Sequence, residues 1–183
     1  VLTKDIDLST YNNGEWVPIG GSGGPEYGLV SGDRVFSGTF DGNGKTISNL
    51  KISFDGSSSQ NTTNQSGLFA MIGSDDPNKY AEVKNLNFTD VSVSHLLGRG
   101  DSIGTLAADV DGYARIDNIA VLSGEIRATS GPGSDLIGIG GVVGQVRTNN
   151  SAVRMTNLYN AADVEVAQGL GSSWVRCGGI LGR

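Results

Sequence analysis

The residues best suited to acid–base work are Asp109 and Asp111, with Arg115 and Asp117 close behind them in sequence. Glycoside cleavage needs two carboxyl groups at a defined separation, one to give a proton and the other to attack or to activate water. Asp109 also falls in a column with Ile72 and Val146, where an apolar residue is expected. A carboxylate buried there is costly unless paired, and a perturbed carboxyl group marks a candidate site. A local shift of register would instead turn Asp109 outward into solvent, and that is the preferred reading.

Other chemistries lack parts. Zinc proteolysis needs two histidines on one helix with a glutamate between them, and the chain has a single histidine, His95. No serine or cysteine nucleophile stands near it in a recognisable motif, so His95 reads as a loop residue. The single Cys177 can form no internal disulfide and has no second sulfur ligand for a metal; it reads as a small half-buried residue beside Gly178. Asp41 and Asn43 offer oxygen atoms to calcium, but the third acidic position and the closing glutamate of a calcium loop are missing. Asp41-Gly42-Asn43-Gly44 therefore reads as a tight turn joining two strands, with no cofactor expected. Trp16, Tyr27, Tyr80, Tyr113 and Trp174 occupy scattered positions and do not compose a sugar-binding face.

The elements that would position these residues are repeats. One phrase is stated four times: Ile47-Ser48-Asn49-Leu50, Val83-Lys84-Asn85-Leu86, Ile116-Asp117-Asn118-Ile119 and Met155-Thr156-Asn157-Leu158. A glycine followed by mostly apolar residues alternates with it, at Gly67, Gly104, Gly141 and Gly179, spaced 37, 37 and 38 residues apart. Such a period marks a stacked repeat, in which each unit buries its apolar face only against its neighbours. A leucine-rich repeat also carries an asparagine at a bend, but its period is shorter and its other half is commonly helical.

Apolar residues alternate rather than following a helical stripe, and 29 of the 183 residues are glycine. We therefore expect an all-β chain, a right-handed parallel β-helix with three short strands per coil: the glycine phrase, the asparagine phrase and a valine-rich tail such as Val91-Ser92-Val93. Residues 1–183 form one unit. Residues 1–35 are an opening strand and a long loop that lays Trp16 over the end of the stack, 36–66 the first coil, and 67–183 the repeats. Three apolar files should line the core: Ile47, Val83, Ile116 and Met155; Leu50, Leu86, Ile119 and Leu158; and Ile52, Phe88 and Val121. Asn49, Asn85, Asn118 and Asn157 should stack as a ladder, because asparagine tolerates the left-handed backbone of a sharp bend and one amide can donate to the next.

Thirteen lysines and arginines against 19 acidic residues give a net charge of −6. Without a basic cluster the chain is a poor partner for nucleic acid or an anionic membrane, and no apolar run is long enough to span a bilayer. Because it opens mid-phrase at Val1-Leu2-Thr3 and stops inside a repeat, it is expected to be a fragment that continues into a longer parent chain.

The run Leu2-Thr3-Lys4-Asp5-Ile6-Asp7-Leu8, then Trp16-Val17-Pro18-Ile19-Gly20, then Phe36 through Leu50 resembles the opening segment of GLUG-motif repeat regions, and the four glycine phrases resemble the GLUG motif itself. Such regions occur in bacterial surface and secreted proteins, including adhesin-like proteins and the non-catalytic parts of immunoglobulin A-cleaving metallopeptidases. The resemblance implies an extracellular β-helical module at the bacterial cell surface and carries over no catalytic residue. The second copy departs from it, with Thr105 at an apolar place and Ala107-Ala108-Asp109 after it. The expected function is a rigid stalk or adhesive domain meeting a protein or glycan on a host or neighbouring cell through loops at 11–35, 55–66, 74–80, 95–101, 130–137 and 168–176. The alternative is a polysaccharide-binding or polysaccharide-cleaving β-helix using Asp109, Asp111 and Arg115.

Overall fold

The computed structural model describes residues 1–11, 15–20, 35–54, 65–99, 101–135, 137–147, 152–167 and 175–183. Within them the chain is all-β, without an α-helix, and every strand pairing is parallel. A short strand β1 (Ile6–Asp7) is followed by β2 (Thr39–Ser48), β3 (Lys51–Phe54), β4 (Gln65–Ser66) and β5 (Phe69–Ile72). The next group is β6 (Ala81–Thr89), β7 (Val91–Arg99), β8 (Ser102–Ile103) and β9 (Ala107–Asp111). Then come β10 (Ala114–Val121), β11 (Gly124–Asp135), β12 (Ile137–Gly140) and β13 (Val143–Arg147). The last described strands are β14 (Val153–Asn160), β15 (Asp163–Ala167) and β16 (Val175–Gly178).

These strands sort into four sheets, ordered β1-β2-β6-β10-β14, β15-β11-β7-β3, β16-β12-β8-β4 and β13-β9-β5. From β2 onward the chain visits the four sheets in a fixed rotation and returns to the first after every fourth strand. The repeat therefore carries four strands, not the expected three. The additional strand, two to four residues long, ends immediately before each glycine phrase. It is too short to show a period of its own, which is why composition hides it.

Register fixes the core. Phe40, Val83, Ile116 and Met155 stand opposite one another, as do Leu86, Ile119 and Leu158, and then Ile47, Phe88, Val121 and Asn160. Val83, Leu86, Phe88, Ile116 and Val121 are fully buried. The first repeat thus corrects the expected files: Ile47 faces Phe88, not Val83, and Ile52 faces Val93. The place opposite Val83 is taken by Phe40, seven residues before Ile47, and Asp41-Gly42-Asn43-Gly44 is not a turn between two strands but a bulge inside β2. Pairing passes from Asp41↔Lys84 directly to Lys45↔Leu86. A bulge of this kind sets extra residues against one partner and needs backbone angles that glycine and asparagine accept. Asn43 and Gly44 have φ of 52° and 70°, and a Cβ on Gly42 would stand 2.4 Å from the Asn85 carbonyl oxygen.

The glycine phrases allow close approach between repeats. A Cβ would meet the Gly104 carbonyl oxygen at 2.6 Å from Gly67, the Val142 oxygen at 2.7 Å from Gly104, and the Gly179 oxygen at 2.1 Å from Gly141. At the N-terminal end, Trp16 packs against the core and its indole N–H donates to the Leu68 carbonyl at 3.1 Å. Ile19 bridges to Phe69 and Phe36 to Ile72, so residues ahead of β2 lie along the first repeat.

Candidate functional site

Asp109 is the most unusual charge in the described chain. Its register partners are Met71 and Gln145, one residue away from the Ile72–Val110–Val146 file in which the sequence reading puts it. It does not turn outward: the residue is wholly buried. Oδ2 accepts a short hydrogen bond from the Gln65 amide and lies 3.1 Å from an Arg147 guanidinium nitrogen. Ser102 donates to Gln145 at 3.3 Å beside it. Gln65, Asp109 and Arg147 come from three successive repeats, so the cluster ties them together. Burial pushes the Asp109 carboxyl above its ordinary range, and the Arg147 guanidinium offsets only part of that.

Of the other two members of the proposed acid–base set, Asp111 lies on the same strand as Asp109 and Arg115 lies elsewhere. Asp111 stands opposite Arg147 on β13. Arg115, on β10 in a different sheet, is exposed, ion-pairs with Glu82 at 3.5 Å and lies 4.1 Å over the Tyr80 ring. The structure thus brings Asp109 and Asp111 to Arg147 rather than to Arg115. Tyr80 and Tyr113 do align after all, in successive repeats, with ring centroids 5.6 Å apart. Tyr27 and Trp174 lie outside the described residues.

His95 is not a loop residue. It sits in β7, buried, with its ring 4.5 Å from that of Phe54. Its Nδ1 is 2.8 Å from the Ser66 hydroxyl and its Nε2 3.0 Å from Asp101 Oδ2. Toward a carboxylate, which accepts, Nε2 is the donor, and Nδ1 and the Ser66 hydroxyl share the other hydrogen bond. Hydroxyl, imidazole and carboxylate in this order are the parts of a nucleophilic relay. Here the three residues are at most 1% exposed, so no solvent-borne group reaches Ser66 Oγ while the core is closed. Sequence reasoning missed the relay because Ser66 and Asp101 fall in stretches expected to be loops.

The asparagine phrases form a corner. Asn85, Asn118 and Asn157 have φ of 54° to 55° and interrupt β6, β10 and β14 at one level of the register. Asn118 Nδ2 donates to Asn85 Oδ1 at 3.0 Å. The remaining rungs end on carboxylates: Asn85 on Asp41 at 3.1 Å and Asn157 on Asp117 at 2.9 Å. Asn49 does not belong to this column. Its N–H donates to the Thr89 carbonyl, which sets it beside Asp90 at the next corner, where both residues have positive φ; its amide donates to Asp7 at 2.8 Å. At the Asn85 level the first repeat carries the β2 bulge instead, with Asn43 at positive φ.

These carboxylates are held below their ordinary range. For Asp7 the main cause is the Ser9 N–H, for Asp41 the Asn43 N–H, and for Asp117 the Thr156 hydroxyl, each followed by an asparagine amide. The calcium candidates Asp41 and Asn43 are thus joined in a local turn in which Asp41 Oδ1 accepts the Asn43 N–H at 2.8 Å. Cys177 lies exposed in β16 rather than half-buried. Of the expected loops, residues 95–99 and 130–135 belong to strands β7 and β11. Positions 12–14, 21–34, 55–64, 100, 136 and 168–174 lie outside the described residues.

No family model and no solved structure matches the chain. Over 145 residues, 79% of its length, the chain is 32% identical to halomucin of Haloquadratum walsbyi. The chain spans about 1% of the length of this curated relative.

Proposed function

We propose that the chain is a non-catalytic β-helical module of a cell-surface or secreted protein, a rigid spacer that presents its connecting segments to other molecules. The observation that carries this reading is the rotation of the chain through four parallel sheets at a constant register, Glu82, Arg115 and Arg154 lying in line. Parallel crossovers within one sheet are almost always right-handed, which favours a right-handed winding. Backbone hydrogen bonds between successive turns resist bending, and connecting segments can vary without disturbing the stack.

The glycine phrases keep the likeness to GLUG-type repeats as a rationale for this role. Similarity to a stretch of a very long chain, 1% of which spans 145 residues, fits a module used in series, and the mucin in that chain's name supports an extracellular setting. The non-catalytic reading draws on Asp109 being engaged by Gln65 and Arg147 while Arg115 faces solvent on another sheet.

Two experiments test it. Antibody against the chain should label intact cells of the source organism; labelling only after lysis would overturn the surface assignment. Incubation with acidic polysaccharides should release neither unsaturated products nor new reducing ends. Cleavage abolished by Asp109→Ala would establish the enzyme instead.

A further inference from the structure

The outer face of the first sheet carries a motif that neither the core nor the corners explain. Asn87-Phe88-Thr89 on β6 is an Asn-x-Thr triplet, the acceptor sequence for sugar attached through an asparagine amide. Further triplets begin at Asn61, Asn64 and Asn149, which lie outside the described residues. Because strand side chains alternate, Phe88 enters the core and Asn87 faces out. Its Nδ2 donates to the Gly44 carbonyl at 3.1 Å. An amide nitrogen carries two N–H groups, so attachment of a sugar consumes the other one and leaves this bond in place.

The neighbouring positions leave room for such a group. Asn87 stands opposite Thr46 on one side and Ala120 on the other, and Ala120 in turn stands opposite Tyr159. Ala120 is the smallest side chain in this outward file, so a shallow slot separates Asn87 from Tyr159. On the far side of the slot, about 10 Å away across two strand spacings, the Tyr159 residue is 55% exposed. An aromatic ring open to water offers the apolar C–H face of a sugar a surface to stack on.

We infer that Asn87 is a glycosylation site and that the attached sugar lies across Ala120 against the Tyr159 ring. The inference rests on the surface reading given above, because sugar transfer of this kind accompanies export. In the reaction Nδ2 bonds to the anomeric carbon of a phosphate-activated sugar donor. The bond from that carbon to the phosphate oxygen breaks, the phosphate leaves with the electron pair, and one Nδ2 proton passes to a base of the transferase. The core contacts of β6 are untouched, since the added bulk lies on the water side of the strand.

Tryptic digestion of the protein recovered from cells of the source organism isolates the site. Cleavage after Lys84 and Arg99 gives a peptide, residues 85–99, with Asn87 as its single triplet. Fragmentation in the mass spectrometer should place a sugar mass on Asn87. Asn87→Gln and Thr89→Ala should each abolish it, and Thr89→Ser should keep it. Sugar on Ser92 or Ser94 instead, or a bare peptide in protein taken from the cell surface, overturns the inference and leaves the surface reading standing. A bare peptide in protein found only inside the cell overturns both. The seat on Tyr159 is read from melting temperatures: Tyr159→Ala should lower that of the modified chain more than that of the Asn87→Gln chain. Equal losses in the two would overturn that contact.

Discussion

Asp7, Asp41 and Asp117 sit on the outer corners of the sheets and accept hydrogen bonds from backbone N–H groups, a threonine hydroxyl and asparagine amides. Asp109 sits inside and accepts from an amide and a guanidinium. The donors are comparable and the shifts are opposite, down on the corners and up in the interior. At the corners water still solvates the charge and each hydrogen bond adds to that; in the interior the bonds replace water without making up for it. The lesson is that the corner carboxylates complete turns at little risk, while the buried one sets register among three repeats and opposes its own ionisation.

The largest effect should come from removing the guanidinium. Arg147→Ala leaves Asp109 without its counter-charge and should cost about 3 kcal/mol at neutral pH in denaturant titrations. The loss should shrink toward pH 4 as Asp109 takes up a proton. Asp109→Asn keeps a partner for Gln65 and abolishes the buried charge, so it should be neutral or stabilising by on the order of 1 kcal/mol at pH 7. A carboxyl group raised by folding contributes fully below its unfolded value of about 3.9 and loses that contribution as pH rises through the folded value. Any advantage of the asparagine variant in thermal melts should therefore vanish as pH approaches 4.

At the corners the losses are smaller than that of Arg147→Ala, and for the carboxylate the pH dependence runs the other way. Asn118→Ala places an ordinary side chain at φ 55° and removes the amide bonded to Asn85, and should cost about 1–2 kcal/mol. Asn118→Gly should recover most of it, which separates the backbone requirement from the hydrogen bond. Asp117→Ala should have the least effect, visible as a slightly lower melting temperature at pH 6. A lowered carboxyl contributes above its unfolded value and loses that contribution as pH falls through the folded one, so the difference from the unaltered chain should disappear below pH 3.

The parallel strands and the 37-residue spacing were legible because apolar alternation and small residues at fixed intervals leave a direct trace in sequence. Asn85, Asn118 and Asn157 were legible for the same reason: few residue types accept their backbone angle. Asn49 was misplaced because in the first repeat the same phrase stands one corner later, beside Asp90, while the β2 bulge occupies the Asn85 level. The fourth strand and the Ser66–His95–Asp101 relay were hidden because β4 and β8 are two residues each, and polar residues in so short a run read as loop. Asp109 was recognised as anomalous, yet its partners were not, since Gln65 and Arg147 are 44 and 38 residues away and only the correct register joins them.

The central claim is that successive repeats lie directly above one another in one register. Disulfide trapping tests it most directly, with Cys177→Ser as the background. Glu82→Cys paired with Arg115→Cys should cross-link, because paired strands lie about 4.8 Å apart and a disulfide spans about 4.4–6.8 Å between Cα atoms. Arg115→Cys paired with Arg154→Cys should do the same, while Glu82→Cys with Arg154→Cys, two strands apart at about 10 Å, should stay reduced. Efficient cross-linking of the last pair, or failure of the first two, would contradict the stacking on which the account depends.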